Sequence, residues 1–187
     1  MQTINQTISN TYEVNRSKFI AYLTPIENFK ALREQLKADN PKANHVVYAT
    51  RQLNEYDQVV ENSSDDGEPK GCAGVPSLNV LRGHELINVA LLTVRYFGGI
   101  RLGTGGMVRA YGNAVKEVLA IAPLQPYQKQ IEFRFTTPYN QVDQTLYHLK
   151  QLDINTFERD FGMEGVEWIV RSNQESIDGL KEMVLTH

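Results

Sequence analysis

The chain has one cysteine and one tryptophan among its 187 residues, and no excess of basic charge. A single thiol, Cys72, excludes an internal disulfide framework and a cysteine-only metal cluster built from one chain. No apolar run approaches the roughly 18–20 residues that a membrane-crossing helix needs. The opening "MQTINQTISNTYEVNR" lacks the basic-then-apolar order of a secretory signal. A soluble, cytoplasmic protein is the expectation, with no membrane partner. The formal net charge of −3 offers none of the basic surplus on which nucleic-acid binding draws. With 41% hydrophobic and 22% charged residues, the chain has the means to bury a core.

Local absences say more than global ones. Residues 52–69 carry six acids and no Lys or Arg, whereas residues 95–111, "RYFGGIRLGTGGMVRAY", carry three arginines and five glycines without an acid. Residues 131–187 hold five basic and ten acidic groups, which makes that segment a poor partner for a phosphate backbone.

The apolar pattern outlines two regions. Alternation in "SKFIAYL" predicts a strand over 17–23, and Phe29, Leu32 and Leu36 share a helical face closed by Asn40-Pro41. Thr24 or Asn28 is the candidate N-cap of that helix. Strands are predicted for "HVVYAT" and "YDQVVE", a short helix for 75–82, and a strand buried on both faces for 87–97. The longest helical pattern covers 105–122, with Val108, Tyr111, Val115, Val118, Leu119 and Ala122 on one stripe. Residues 1–123 thus read as a first domain and 124–130 as a linker. Residues 131–187 follow a βαββα order that asks for one more strand to complete a ferredoxin-like sandwich.

Two segments can carry chemistry. In the glycine–arginine stretch, Gly103, Gly105 and Gly106 open a helix after a buried strand, and Arg95, Arg101 and Arg109 can supply contacts to an anion. The same glycines, with Gly98 and Gly99, equally suit tight turns, and no P-loop lysine follows them. In "SSDDGEPKGCAGVP", Asp65, Asp66 and Glu68 can either hold a hard cation or pair with those arginines. Pairing is favoured, since adjacent side chains on extended backbone point apart, and no metal or cofactor is expected. Cys72 and His45 form a possible nucleophile–base couple without an evident orienting residue, and a small packing role for Cys72 is the simpler reading.

Taken together, "SDDGEPKGCAGVP" and "VRYFGGIRLGTGGMVRAYGNAV", with the earlier "SKFIAYL" and "NHVVYA", resemble the YigZ/IMPACT family. The resemblance implies an α+β protein. Its N-terminal two-layer domain would contain a left-handed βαβ crossover, as in a late domain of elongation factor G, and a ferredoxin-like α/β sandwich would follow. It also implies a binding or regulatory role linked to translation or stress, through a protein, ribosome or RNA partner. Eukaryotic relatives bind the activator of a kinase that acts on an initiation factor. The family carries Thr where this chain has Cys72, and its members extend past the position of His187. The alternative is a small enzyme acting on a phosphorylated or carboxylated metabolite. In it, Arg95, Arg101 and Arg109 would hold the anion, and Asp65, Asp66 or Glu68 would act as base or bind Mg²⁺.

Overall fold

A computed structural model describes residues 1–186. The final position of the 131–187 segment, His187, lies outside the described residues. Two units are present, the first ending at Tyr127 and the second beginning at Gln128.

In unit 1 the chain runs through β1 (Gln2–Thr3), β2 (Ile8–Val14), β3 (Ser17–Pro25), α1 (Phe29–Asp39), β4 (His45–Leu53) and β5 (Val59–Ser64). It continues through α2 (Gly74–Gly83), β6 (Val89–Tyr96), α3 (Gly103–Ile121) and β7 (Gln125–Pro126). Strand β6, "VALLTVRY", is the centre of a five-stranded sheet of order β2-β3-β6-β4-β5, all neighbours antiparallel. Its β-branched and leucine side chains can be apolar on both faces because both faces are covered. Val89 and Leu91 face the cluster built with α2 and α3, while Ala90, Leu92 and Val94 face the cluster that includes Leu36 of α1. The β3-α1-β4 connection crosses over β6, so β6 is threaded between two strands parallel to each other.

Several local expectations shift. No side chain caps α1, and a 3-10 turn over Ile26–Asn28 leads into it instead. At its other end the Asn40 side-chain amide donates to the Leu36 carbonyl at 2.9 Å. Helix α3 buries Met107, Ala110, Tyr111, Ala114, Val115, Val118 and Leu119, whereas Val108 is exposed. The buried stripe starts one residue earlier than the valine pattern suggested, because small Ala110 and Ala114 let the helix lie close on the sheet. The half-buried edge strand β2, with Ile8, Tyr12 and Val14 packed toward the core, is not among the strands expected from the sequence. Gln125–Pro126, within the stretch read as linker, pairs with Gln2–Thr3.

In unit 2, β8 (Ile131–Thr137), α4 (Val142–Gln151), β9 (Thr156–Phe161), β10 (Val166–Ser172) and α5 (Gln174–Leu185) form a three-stranded antiparallel sheet of order β8-β10-β9. Phe135, Trp168, Val170, Leu149, Ile177 and Leu180 make its core. Among the described residues no strand follows α5, and β8 stands at one edge of the sheet.

Candidate functional site

The sheet register of unit 1 lays out the floor of the site. Arg95, at the end of β6, sits opposite Phe19 on β3 and opposite His45 on β4, so three neighbouring strands present Phe19, Arg95 and His45 in one row. That row faces α3, like Leu91 two turns of the pleat earlier. A charged guanidinium in this position is 9% exposed and must be matched.

Glu68 supplies the match from the acidic loop, and it is itself buried. Arg95 Nη1 donates to both Glu68 oxygens, at 2.8 and 3.1 Å, and the Tyr111 hydroxyl donates to Oε1 at 2.8 Å from α3. Burial, reinforced by the Glu68 charge and its hydrogen bond, pushes the Tyr111 phenol far above its ordinary range, so Tyr111 acts here as a fixed donor. Aromatic rings complete the seat. The Arg95 guanidinium carbon lies 5.7 Å from the Phe19 ring centroid and 5.6 Å from that of Phe97. Its Nε is buried with no hydrogen-bond partner.

The other two acids of the loop are occupied in its construction. Asp65 accepts from the backbone N–H groups of Gly71, Ala73 and Gly74, at 2.9, 3.2 and 2.8 Å, and thereby serves the N-terminus of α2. Burial works against the Asp65 charge, but these hydrogen bonds outweigh it and hold the carboxyl below its usual value. Asp66 accepts from the Val46 N–H at 2.7 Å and lies 3.6 Å from the Lys37 ammonium. The Asp66 carbonyl lies 2.7 Å from His45 Nδ1. A carbonyl only accepts, so Nδ1 carries the hydrogen. His45 Nε2 is thereby turned toward Glu68, 3.7 Å from its Oε2, too far for a direct hydrogen bond.

Above this floor lies a cleft of about 610 Å³. The acidic loop walls it with Gly67, Glu68 and Pro69, and β4 with His45; Arg95, Phe97, Arg101, Leu102, Gly103, Thr104 and Met107 close the other side. The structure therefore joins Glu68, Arg95, Arg101 and Gly103 in one place. Asp65 and Asp66 stand behind the wall, occupied as described. Arg109 lines a separate depression with Tyr12, Asn15 and Gly106, and Gly105 lies against the Arg109 guanidinium rather than the cleft. The glycine stretch also has its fold-bound members. A Cβ on Gly98 would stand 2.1 Å from the Arg16 backbone, and Gly103 has φ +70° at the first turn of α3.

Sequence reasoning missed two participants. Tyr111 reads as core from its stripe position, yet a buried phenol needs a partner, and that need was the available signal. Phe97 reads as core but is 54% exposed at the cleft. His45, read from the sequence as a possible base for Cys72, is instead brought by strand register beside Arg95 and Glu68. Cys72 is buried in the core beneath α2 and α3, and it does not line the cleft. Among the described residues no group of three or more His, Cys, Asp or Glu side chains is placed to hold a metal ion.

Comparison with known proteins bears on this region directly. The model of the Impact N-terminal domain matches residues 15–119, which hold every residue of the cleft. The chain belongs to the IMPACT family. An IMPACT family member of Haemophilus influenzae is 38% identical over 133 residues, covering 70% of this chain and 65% of that protein, somewhat less than two thirds of its length. The Escherichia coli family member YigZ is 35% identical over 152 residues, 80% of this chain and 74% of its own. A solved crystal structure of a hypothetical protein superposes with a TM-score of 0.67 and 29% identity, over 98% of this chain and 90% of that one. The two-unit architecture with mixed sheets and helices is thus shared beyond the IMPACT domain itself.

Proposed function

We propose that this IMPACT family member is a binding protein with a regulatory role linked to translation, and that it engages its protein, ribosome or RNA partner at the cleft of unit 1. The observation that carries this reading is the state of the charges there. Asp65, Asp66 and Glu68 are each matched within the fold, so the acidic loop acts as structure, and Arg101 is left as the cation at the cleft mouth with no partner among the described residues. An exposed Phe97 and Ile100 beside that arginine make a surface of the composition that interfaces favour. Family membership supports the link to translation.

The enzyme alternative has less support, because a carboxylate already holding Arg95 and Tyr111, or three backbone N–H groups, has little capacity left to act as a base. Co-sedimentation of the full chain with ribosomes, combined with crosslinking to translation proteins and RNA at physiological salt, tests the reading. Association that is lost on Arg101→Ala and kept on Arg109→Ala is the expected result. Absence of any ribosomal, RNA or translation-protein association would end it.

A further inference from the structure

The cleft has a ligand chemistry of its own, and this inference rests on reading it as the binding site. Glu68 and Arg95 cancel one another, which leaves the lining with Arg101 as its net charge. The N-terminus of α3 adds to that sign. Leu102 offers no side-chain cap, and the N–H groups of Gly103 and Thr104, two residues of the lining, have no acceptor among the described residues. These open N–H groups carry roughly half a positive charge in sum. At α2 the equivalent groups are taken by Asp65.

A helix terminus alone would say little, but Arg95 points to the same occupant. Its side chain is nine-tenths buried at the cleft floor and engages Glu68 and the Met107 sulfur through Nη1, while Nη2 has no hydrogen-bond partner among the described residues and is not enclosed by the fold. A guanidinium donor left open on the floor of a cleft calls for an acceptor there. Pro69, Phe97, Leu102 and Met107 supply the apolar part of the lining, beside the polar Asn44, His45 and Thr104. A cleft of about 610 Å³, mostly apolar with a few convergent donors, suits a compact organic ligand rather than a bare ion.

We infer that the cleft binds a small phosphate monoester carrying a flat, apolar body, of the nucleoside monophosphate type. The phosphate oxygens accept from the α3 N-terminus, the Thr104 hydroxyl, Arg101 and the open Nη2 of Arg95, and the ring packs against Phe97 and Met107. A phosphate fits better than a carboxylate because its terminal oxygens can serve several donors approaching from different sides.

The test is calorimetric titration of the full-length chain with adenosine monophosphate, uridine monophosphate, phenyl phosphate, adenosine and inorganic phosphate. The expected result is that at least one monoester binds about tenfold or more tightly than inorganic phosphate, and that adenosine does not bind. Arg101→Ala weakens the monoester about tenfold or more through lost charge-assisted bonds, and Phe97→Ala weakens it about fivefold or more through lost stacking. Both side chains are exposed, so their removal leaves folding intact, which thermal melts verify. Arg109→Ala, outside the cleft, leaves affinity unchanged.

Three results overturn the inference: no monoester binds, all phosphates bind alike, or Arg109→Ala weakens binding as much as Arg101→Ala. Binding of a short RNA without binding of any monoester overturns it too. Ribosome association measured in parallel separates the two claims. If association persists without monoester binding, this inference alone falls; if a monoester binds without association, it stands and the translation reading falls.

Discussion

In unit 1 a guanidinium and a carboxylate, Arg95 and Glu68, lie together under the floor of a cleft, with the Tyr111 hydroxyl closing the group. In unit 2 the buried polar contact is neutral, with the Trp168 indole N–H donating to the Thr137 hydroxyl at 2.8 Å. Unit 2 keeps its ion pairs, Glu132 with Arg134 and Arg171, and Arg171 with Glu158, at the surface. Its core stacks Phe135 on Trp168, with ring centroids 6.0 Å apart. Desolvating two charges costs about as much as their attraction returns, so a buried pair is an inefficient route to stability. A neutral donor on a hydroxyl inside an aromatic cluster carries no such cost. The contrast separates a unit whose interior holds a charged pair beneath a cleft from one whose interior serves packing.

That contrast can be broken most sharply at Glu68. Glu68→Ala strands Arg95 in the sheet and should cost unit 1 about 3–5 kcal/mol. Urea titration followed by hydrogen exchange of the β6 amides reads it, and a loss no larger than that of a surface pair would show that solvent reaches Arg95. Tyr111→Phe comes next. It removes one hydrogen bond to a charged group, an effect of about 1.5–3 kcal/mol on the same readout.

Unit 2 supplies the neutral counterpart. Thr137→Val leaves the buried indole N–H without an acceptor, and about 1–3 kcal/mol should be lost. The chain has one tryptophan, so Trp168 fluorescence follows this unit selectively. An effect equal to that of Glu68→Ala would erase the distinction drawn between the units.

A smaller effect is expected from pH. Asp65 is held below its usual value of 3.8 in the folded state, so the unfolded chain takes up the proton first as pH falls. Its stabilisation is therefore complete above about pH 4 and disappears as pH drops through the folded value. Asp65→Asn should flatten the acid limb of unit 1 stability, and an unchanged limb would assign it to other carboxylates. The smallest effect belongs to Arg171→Ala. Its pairs sit in solvent on the unit 2 surface, and the Trp168 fluorescence midpoint should stay where it is.

Much of the architecture was legible wherever one short-range rule governed. Unbroken β-branched and leucine character marked β6, Asn40-Pro41 stopped α1, and the long apolar stripe located α3. Edge strand β2 escaped because half-buried alternation resembles loop composition. At the site, the acidic and glycine–arginine motifs were visible as complementary segments. Which arginine met which acid was not. Arg101 and Arg109 lie eight positions apart, one before α3 and one within it, and they open on different depressions.

Composition, periodicity and motif spacing by themselves determined that the chain folds, where its main elements run, and that an acidic loop and a basic glycine-rich turn carry its distinctive chemistry. These are properties of neighbouring residues, which local backbone and hydrophobic preferences express directly. Only the tertiary structure decided that Glu68 takes Arg95, that Asp65 and Asp66 serve the loop, and that Arg101 with the α3 N-terminus faces open space. Those assignments depend on the strand register that aligns Phe19, Arg95 and His45, and register is fixed by contacts across the sheet that no local stretch of chain contains.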